Sequence, residues 1–287
     1  YAALSYMDLG GKALAAAIAD SGASGDVAQA IDTLAAIRAF EMSRPDRKPP
    51  FGAADNVPRA IAKRVGANPA RAILTTTGGQ TNQQLVGEFA AAIAAGDSSC
   101  AVIVGSEAIS TVLALSAKGE IPDWSEEIGG DFEDQGFGVE ELLEPVLFMH
   151  GASGAIPLYA LAENARRHKL GMGLEEYRLE IGKLFAPFTK VAAANPHSAA
   201  PVERSAEELA TVTDRNRIVA EPYPRMTVAR DQVNQAAAVI LADQCLQFGV
   251  QSSICWRAAQ SRRWIPNIED GSVVCSGREA EAPCARF

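Results

Sequence analysis

The stretch from Ala70 to Ala117 constrains this chain more than any other. Two short apolar runs, Ala70–Thr76 ("ARAILTT") and Ser99–Val104 ("SCAVIV"), alternate with two longer ones, Gln83–Ala95 and Ala108–Ala117. Short apolar runs bounded by turn residues read as buried strands, and longer apolar runs as helices. Thr77-Gly-Gly-Gln-Thr-Asn82, Gly96-Asp97 and Gly105-Ser-Glu107 supply the turns. Strand, helix, strand, helix in this order needs crossover connections, which favours a parallel sheet. The expected class is α/β, a mostly parallel sheet with helices on both faces.

The flanks extend this pattern. Apolar spacing predicts a helix over Met7–Asp20, ended by Gly22 and Gly25. Ala28–Phe40 fits either a strand or a helix. Arg44–Asn56, with Pro45, Pro49 and Pro50, reads as a loop. Asn56 and Pro58 mark the start of a short helix to Val65. Pro157–His168 and Leu174–Ala186 read as helices, and Val233–Leu241 as a buried strand or core helix.

Charge and cysteine exclude several classes. The 287 residues are 48% hydrophobic, which is enough for a large core, and carry a net charge of −9, which argues against nucleic-acid binding. No run of 18 apolar residues free of charge appears, so no membrane insertion is expected. Tyr1 is not followed by a basic and then apolar leader, so no signal peptide is expected. Five cysteines, an odd number, do not suggest a disulfide framework, and a reducing cytoplasm is the expected setting.

Nine carboxylates lie between Asp123 and Glu144, and no Lys or Arg lies between Lys118 and Arg166. Such density predicts a solvated surface. Asp131-Phe-Glu-Asp-Gln-Gly136 has the start of a calcium loop, but Leu142 stands where its bidentate Glu belongs, so no metal is expected. Residues 244–287 form an atypical tail with four of the five cysteines, two of the three Trp, five Arg and no Lys. Its Cys spacing matches no zinc pattern. Two readings stay open for it, a divergent or disordered extension and a stretch out of the reading frame.

Thr75–Ser110 resembles the nucleophile region of the thiolase superfamily. There a strand enters a tight turn, a reactive Cys opens a buried helix, the helix ends in Gly-Asp, and a second strand ends in a Gly-rich turn. Gly96-Asp97, Ser99–Val104 and Gly105-Ser106-Glu107 match that order. Ala162-Glu163-Asn164 is similar to a tripeptide of the thiolase loop domain. Phe188–Pro201 and Val233–Leu241 look most like the branch near the sterol-carrier thiolases, which includes acetyl-CoA acetyltransferases.

The resemblance covers roughly 9–241 and implies the N-terminal half of a longer protein. It implies a core half-domain over 1–117, an inserted loop domain over 118–215, a return to the core over 216–243, and then the tail. It implies coenzyme A esters as substrate or ligand, with no bound cofactor, and a homodimer or partner subunit.

Counting back from Gly96-Asp97 places the nucleophile position at Gly79, which has no side chain. A Cys there would be activated by the helix dipole and free N–H groups. The glycine pair still leaves a donor-lined helix start, able to hold a thioester carbonyl. The expected ligand-binding residues are Gly78, Gly79, Gln80, Thr81, Asn82 and His150. No catalytic residue is assigned. Cys100 reads as a small buried hydrophobe, Thr81 as a cap or structural hydroxyl, and His168 as a helix C-terminal cation. His150 fits a pocket wall or a cap, and His197 a structural loop.

The family's Asn-bearing and Gly-His-Pro loops have no counterpart here. Cys275-Ser276-Gly277 matches its Cys-x-Gly loop in letters alone. Three functions are therefore open: an acyl-CoA acyltransferase family member with Gly at the nucleophile position, a non-catalytic acyl-CoA-binding protein, and a retro-aldolase acting on CoA esters with a partner. Gly151-Ala-Ser-Gly154 lacks the final Gly of a nucleophile elbow. No dinucleotide or phosphate-loop motif is present.

Overall fold

Side-chain alternation builds the sheet. In the computed structural model, which describes residues 4–23, 25–138, 145–152, 154–196 and 198–243 together with two later strands, the ambiguous run after Ala28 divides. A single helical turn, α2 (Val27–Ala30), follows α1 (Tyr6–Asp20) and leads into β1 (Thr33–Ala36). Then come α3 (Val57–Lys63), β2 (Arg71–Leu74), α4 (Gly79–Ala95), β3 (Cys100–Ala108), α5 (Ile109–Lys118) and β4 (Glu133–Asp134). The second part of the chain carries α6 (Pro145–Met149), α7 (Ala155–Lys169), α8 (Leu174–Ala194), α9 (Ala206–Ala210), β5 (Ile218–Ala220) and β6 (Tyr223–Pro224). β7 (Asn234–Ala242) follows, and an antiparallel pair, β8 (Arg263–Pro266) and β9 (Val273–Ser276), lies in the tail. The rest of the tail lies outside the described residues.

The main sheet has the order β4-β2-β1-β3-β7. β1 pairs in parallel with β2 and β3, and β7 runs antiparallel to β3 along one edge. Alternate residues serve opposite faces. Leu34, Ala36, Leu74, Val102 and Val104 join Met7 and Leu14 of α1 and Ile61 of α3 in one buried cluster. Ala35, Ile73, Ala101 and Ile103 meet Leu85 and Phe89 of α4 in the other. Each large side chain buried this way contributes about 1.5–3 kcal/mol. The fold is thus α/β and mostly parallel, with helices on both faces, as its sequence pattern predicts.

Val233–Leu241 departs from expectation. It is a strand, but largely exposed rather than buried, because β7 is an edge covered by β3 on one side only.

The chain forms two compact units, Tyr1–Val139 with Asn234–Phe287, and Glu140–Val233. Residues 118–139 therefore belong with the core rather than with the insert. Trp124 packs edge-on against Phe51, and Glu126 binds Arg64 of the α3 C-cap, which also binds Asp8 of α1. The acidic segment is accordingly not simply solvated, since Glu126, Glu133 and Asp134 pair with Arg64, Arg71 and Arg38. α1 lies close enough on α3 that a Cβ at Gly11 would meet the Arg64 Cβ at 2.7 Å.

In the second unit, Tyr177 is buried and donates to Glu163 at 2.5 Å. Asn216 donates to the carbonyls of Glu208, Leu209 and Thr211, which binds residues 216–233 to this unit. α8 continues past Pro187, where sequence reading stops it at Ala186. Its last turns are latched by the Arg204 N–H donating to Thr189 Oγ1 at 2.9 Å. Among the described residues, no helix is long and apolar enough to cross a membrane.

The starts of β1 and β3 are clipped together by Asp32. Its carboxylate accepts from Ser98 Oγ at 2.6 Å, Ser99 N at 2.6 Å, Thr33 Oγ1 at 2.8 Å and Cys100 N at 3.1 Å. Burial works to raise its pKa, but these hydrogen bonds outweigh burial and hold the carboxyl below its ordinary value. Asp32→Ala is expected to cost about 2–4 kcal/mol, read as a lower urea midpoint at unchanged slope. The stabilisation should be complete above about pH 4 and fade as the pH falls through the lower folded-state value. An unchanged midpoint at neutral pH would show that the clip contributes nothing.

Candidate functional site

Parallel strands place their exits on one crest, where open α/β sheets bind ligands. In this chain, β2 exits through Thr75–Thr77 into α4, β1 exits to Arg38, and β3 runs on to Ala108. Thr77 Oγ1 donates to the Arg38 carbonyl at 3.1 Å, and the Thr77 N–H donates to the Phe137 carbonyl at 3.4 Å. The β2 exit is thereby fixed to its neighbours on both sides.

The helix begins earlier than its composition suggests, at Gly79 rather than Gln83. Gly78 is the N-cap, with φ 150° and ψ 149°, a conformation that side chains disfavour, and it offers no side-chain cap. The Gln80 amide folds back onto it, so that a Cβ at Gly78 would meet Gln80 Oε1 at 2.5 Å. Gly79 is different. It is exposed, and a Cβ there would meet nothing within 4 Å. Thr81 is 3% exposed, and its hydroxyl lies 3.2 Å from Thr76 Oγ1, so it ties the turn together from beneath. Asn82 is exposed on the first turn. The first N–H groups of a helix generally lack partners inside it; here the Thr81 N–H donates to the Gly78 carbonyl at 3.3 Å, and the start of α4 at Gly79 and Gln80 carries the positive end of the helix dipole.

One wall of the crest was not foreseen from the sequence. Arg38 is 5% exposed, ion-paired with Asp134, and donates from Nε to the Gly136 carbonyl at 3.1 Å. Its guanidinium lies 4.6 Å from the Phe137 ring centre, a cation–π contact. Gly138 sits so close to Thr76 that a Cβ would meet the Thr76 Cβ at 2.6 Å. A lone Arg after an apolar run is the one sequence signal that could have pointed here.

The five residues Gly78 to Asn82 thus form one continuous turn. His150 lies in the second unit, exposed after α6. His168 stands in the last turn of α7, and His197 lies outside the described residues. Cys100 occupies the start of β3, at the opposite end of the strands from the Gly78–Gly79 turn, and is fully buried. Burial, with the charges of Asp32 and Asp243, pushes its thiol up to about 12. A thiol this protonated is a poor nucleophile.

No model of a known protein family matches the chain, and no curated protein does. A solved structure is similar, that of a monomeric SCP2-thiolase like protein type 1 from Mycobacterium smegmatis. The two share 39% identity with a TM-score of 0.64, over 86% of this chain and 44% of that one. The chain therefore spans less than half the length of that protein.

Cys100 should stay unmodified by iodoacetamide at pH 8 in the folded chain and react on unfolding, as followed by peptide mass spectrometry. Rapid native-state labelling of its peptide would contradict the buried placement.

Proposed function

We propose that this chain, whose fold is thiolase-like and of the SCP2-thiolase-like kind, is the acyl-CoA-recognising first half of an acyltransferase-family protein that binds CoA esters without Cys-based thiolysis. The observation that carries this reading is the start of α4. Its first residue is Gly79, which faces open space and has no side chain, and Cys100 is buried at the far end of the strands.

The chemistry follows from the geometry. Covalent acyl transfer needs a thiolate to attack the thioester carbon while CoA leaves as its thiol. Nothing at Gly79 can attack. The α4 N–H groups remain, and they suit the partial negative charge of a thioester carbonyl oxygen. Gln80 and Asn82 add side-chain amides on the same turn. Assembly as a homodimer or with a partner subunit belongs to the same reading. β7, nine residues long and without charge, is the available pairing edge.

Calorimetry with acetyl-CoA and a longer acyl-CoA, using free CoA as reference, tests recognition. The esters are expected to bind more tightly than free CoA. Intact-mass analysis should find no acyl adduct on the chain as it stands. Gly79→Cys should gain one acyl group per chain on the peptide spanning position 79, with a thiol pKa below the ordinary value of about 8.5. Thiolysis above background by the unmodified chain, or no binding of either ester, would overturn the proposal.

A further inference from the structure

The end of β3 meets the turn that follows β1 in the first unit, and each contributes a carboxyl group. Glu107 is the penultimate residue of β3, and Glu41 sits in the 3₁₀ turn Phe40–Met42 that follows β1. Glu107 Oε1 accepts the Phe40 N–H at 2.7 Å. The remaining oxygens, Glu107 Oε2 and Glu41 Oε2, are buried and have no hydrogen-bond partner. Two ionised carboxylates left this way carry both a desolvation cost and mutual repulsion.

The surroundings offer little relief. Tyr6 of α1 faces both glutamates, and its hydroxyl donates to the Met42 sulfur at 3.2 Å. Arg64 of the α3 C-cap and Glu126 of the segment after α5 act on Tyr6, and Arg64 is already held by Asp8 and Glu126. Arg47, on the loop that continues the turn, lies over the Phe40 ring at 4.7 Å. A proton on one carboxyl would remove the repulsion and lower the cost of keeping its oxygen buried.

We propose that Glu41 and Glu107 hold one proton between them below neutral pH, and that losing it releases the Phe40–Met42 turn from the end of β3. Burial, opposed by the Phe40 N–H and reinforced by the Glu41 charge, pushes Glu107 up to about 7, and burial raises Glu41 as well. In an opened turn both carboxyls would meet water and ionise near the ordinary value of about 4.3. The closed form therefore keeps its proton where the open form has lost it. Opening becomes easier as pH rises towards about 7 and levels off above it. The turn begins two residues after Arg38, whose carbonyl holds Thr77, so release would reach the crest at the start of α4. The device is independent of CoA binding.

Amide hydrogen exchange on the full chain, corrected for intrinsic rates, reads the opening directly. The protection of Phe40 should fall roughly fiftyfold between pH 5 and pH 7.5, while that of Leu34–Ala36 changes little. Carbon-detected NMR of labelled glutamate should show one carboxyl titrating near pH 7. Glu107→Gln should remove that titration and flatten the Phe40 profile, and Glu41→Gln should move the titration to lower pH. Both carboxyls titrating below pH 5, or an unchanged Phe40 slope in folded Glu107→Gln, would overturn the proposal. If neither variant folds, the titration of the unmodified chain decides alone.

Discussion

The parallel pairing of β1 with both β2 and β3 is the constraint on which the rest depends. It sets Ala36 level with Leu74 and Val104, where β1 and β2 end while β3 runs on to Ala108 beside β7. With alternate side chains buried on opposite faces, a slip of one residue would turn Ala101 and Ile103 out of the α4 cluster. The register is reinforced at the strand starts by Asp32 and at the exits by Thr77 bound to Arg38. A turn held at both ends can present a glycine to solvent without collapsing.

The same crest carries two kinds of unmet polarity. At the start of α4, backbone donors point outward with no side chain to receive them. At the end of β3, buried carboxylate oxygens lack donors. The first suits a polarised carbonyl, and the second suits a retained proton. Arg38 follows β1, the strand that lies between β2 and β3 in the sheet, and its charge is already met by Asp134 and the Phe137 ring. It therefore serves as a strut for Thr77 more than as a free cation.

How much was legible from the sequence depended on how local the cause was. Strands β2 and β3 were readable because their apolar runs are cut by turn residues. The Asn56 cap of α3 was readable because the cap and the Arg59 N–H that donates to it lie three residues apart. The first turn of α4 was not, because Gly-Gln-Thr-Asn resembles a turn until Thr81 is seen to be buried. β1 was hidden in an ambiguous run, since four residues are too few to show a period. Arg38 was missed because its partners, Asp134 and Gly136, lie 96 and 98 residues further along. The acidic segment misled for the same reason, as its arginine partners sit far upstream. The turn Gly78–Asn82 was singled out through resemblance and spacing, and its geometry adds what letters could not, namely that Gly79 opens to solvent while Gly78 is closed by Gln80.

The central claim is that the donor-lined start of α4 recognises a thioester although no nucleophile stands there. Backbone amide NMR of the full chain, titrated with acetyl-CoA and separately with free CoA, tests it most directly. The account predicts ester-dependent shifts concentrated at Gly79, Gln80, Thr81 and Asn82, and weaker shifts there with free CoA. Shifts confined to other parts of the chain, or identical shifts with both compounds, would contradict it.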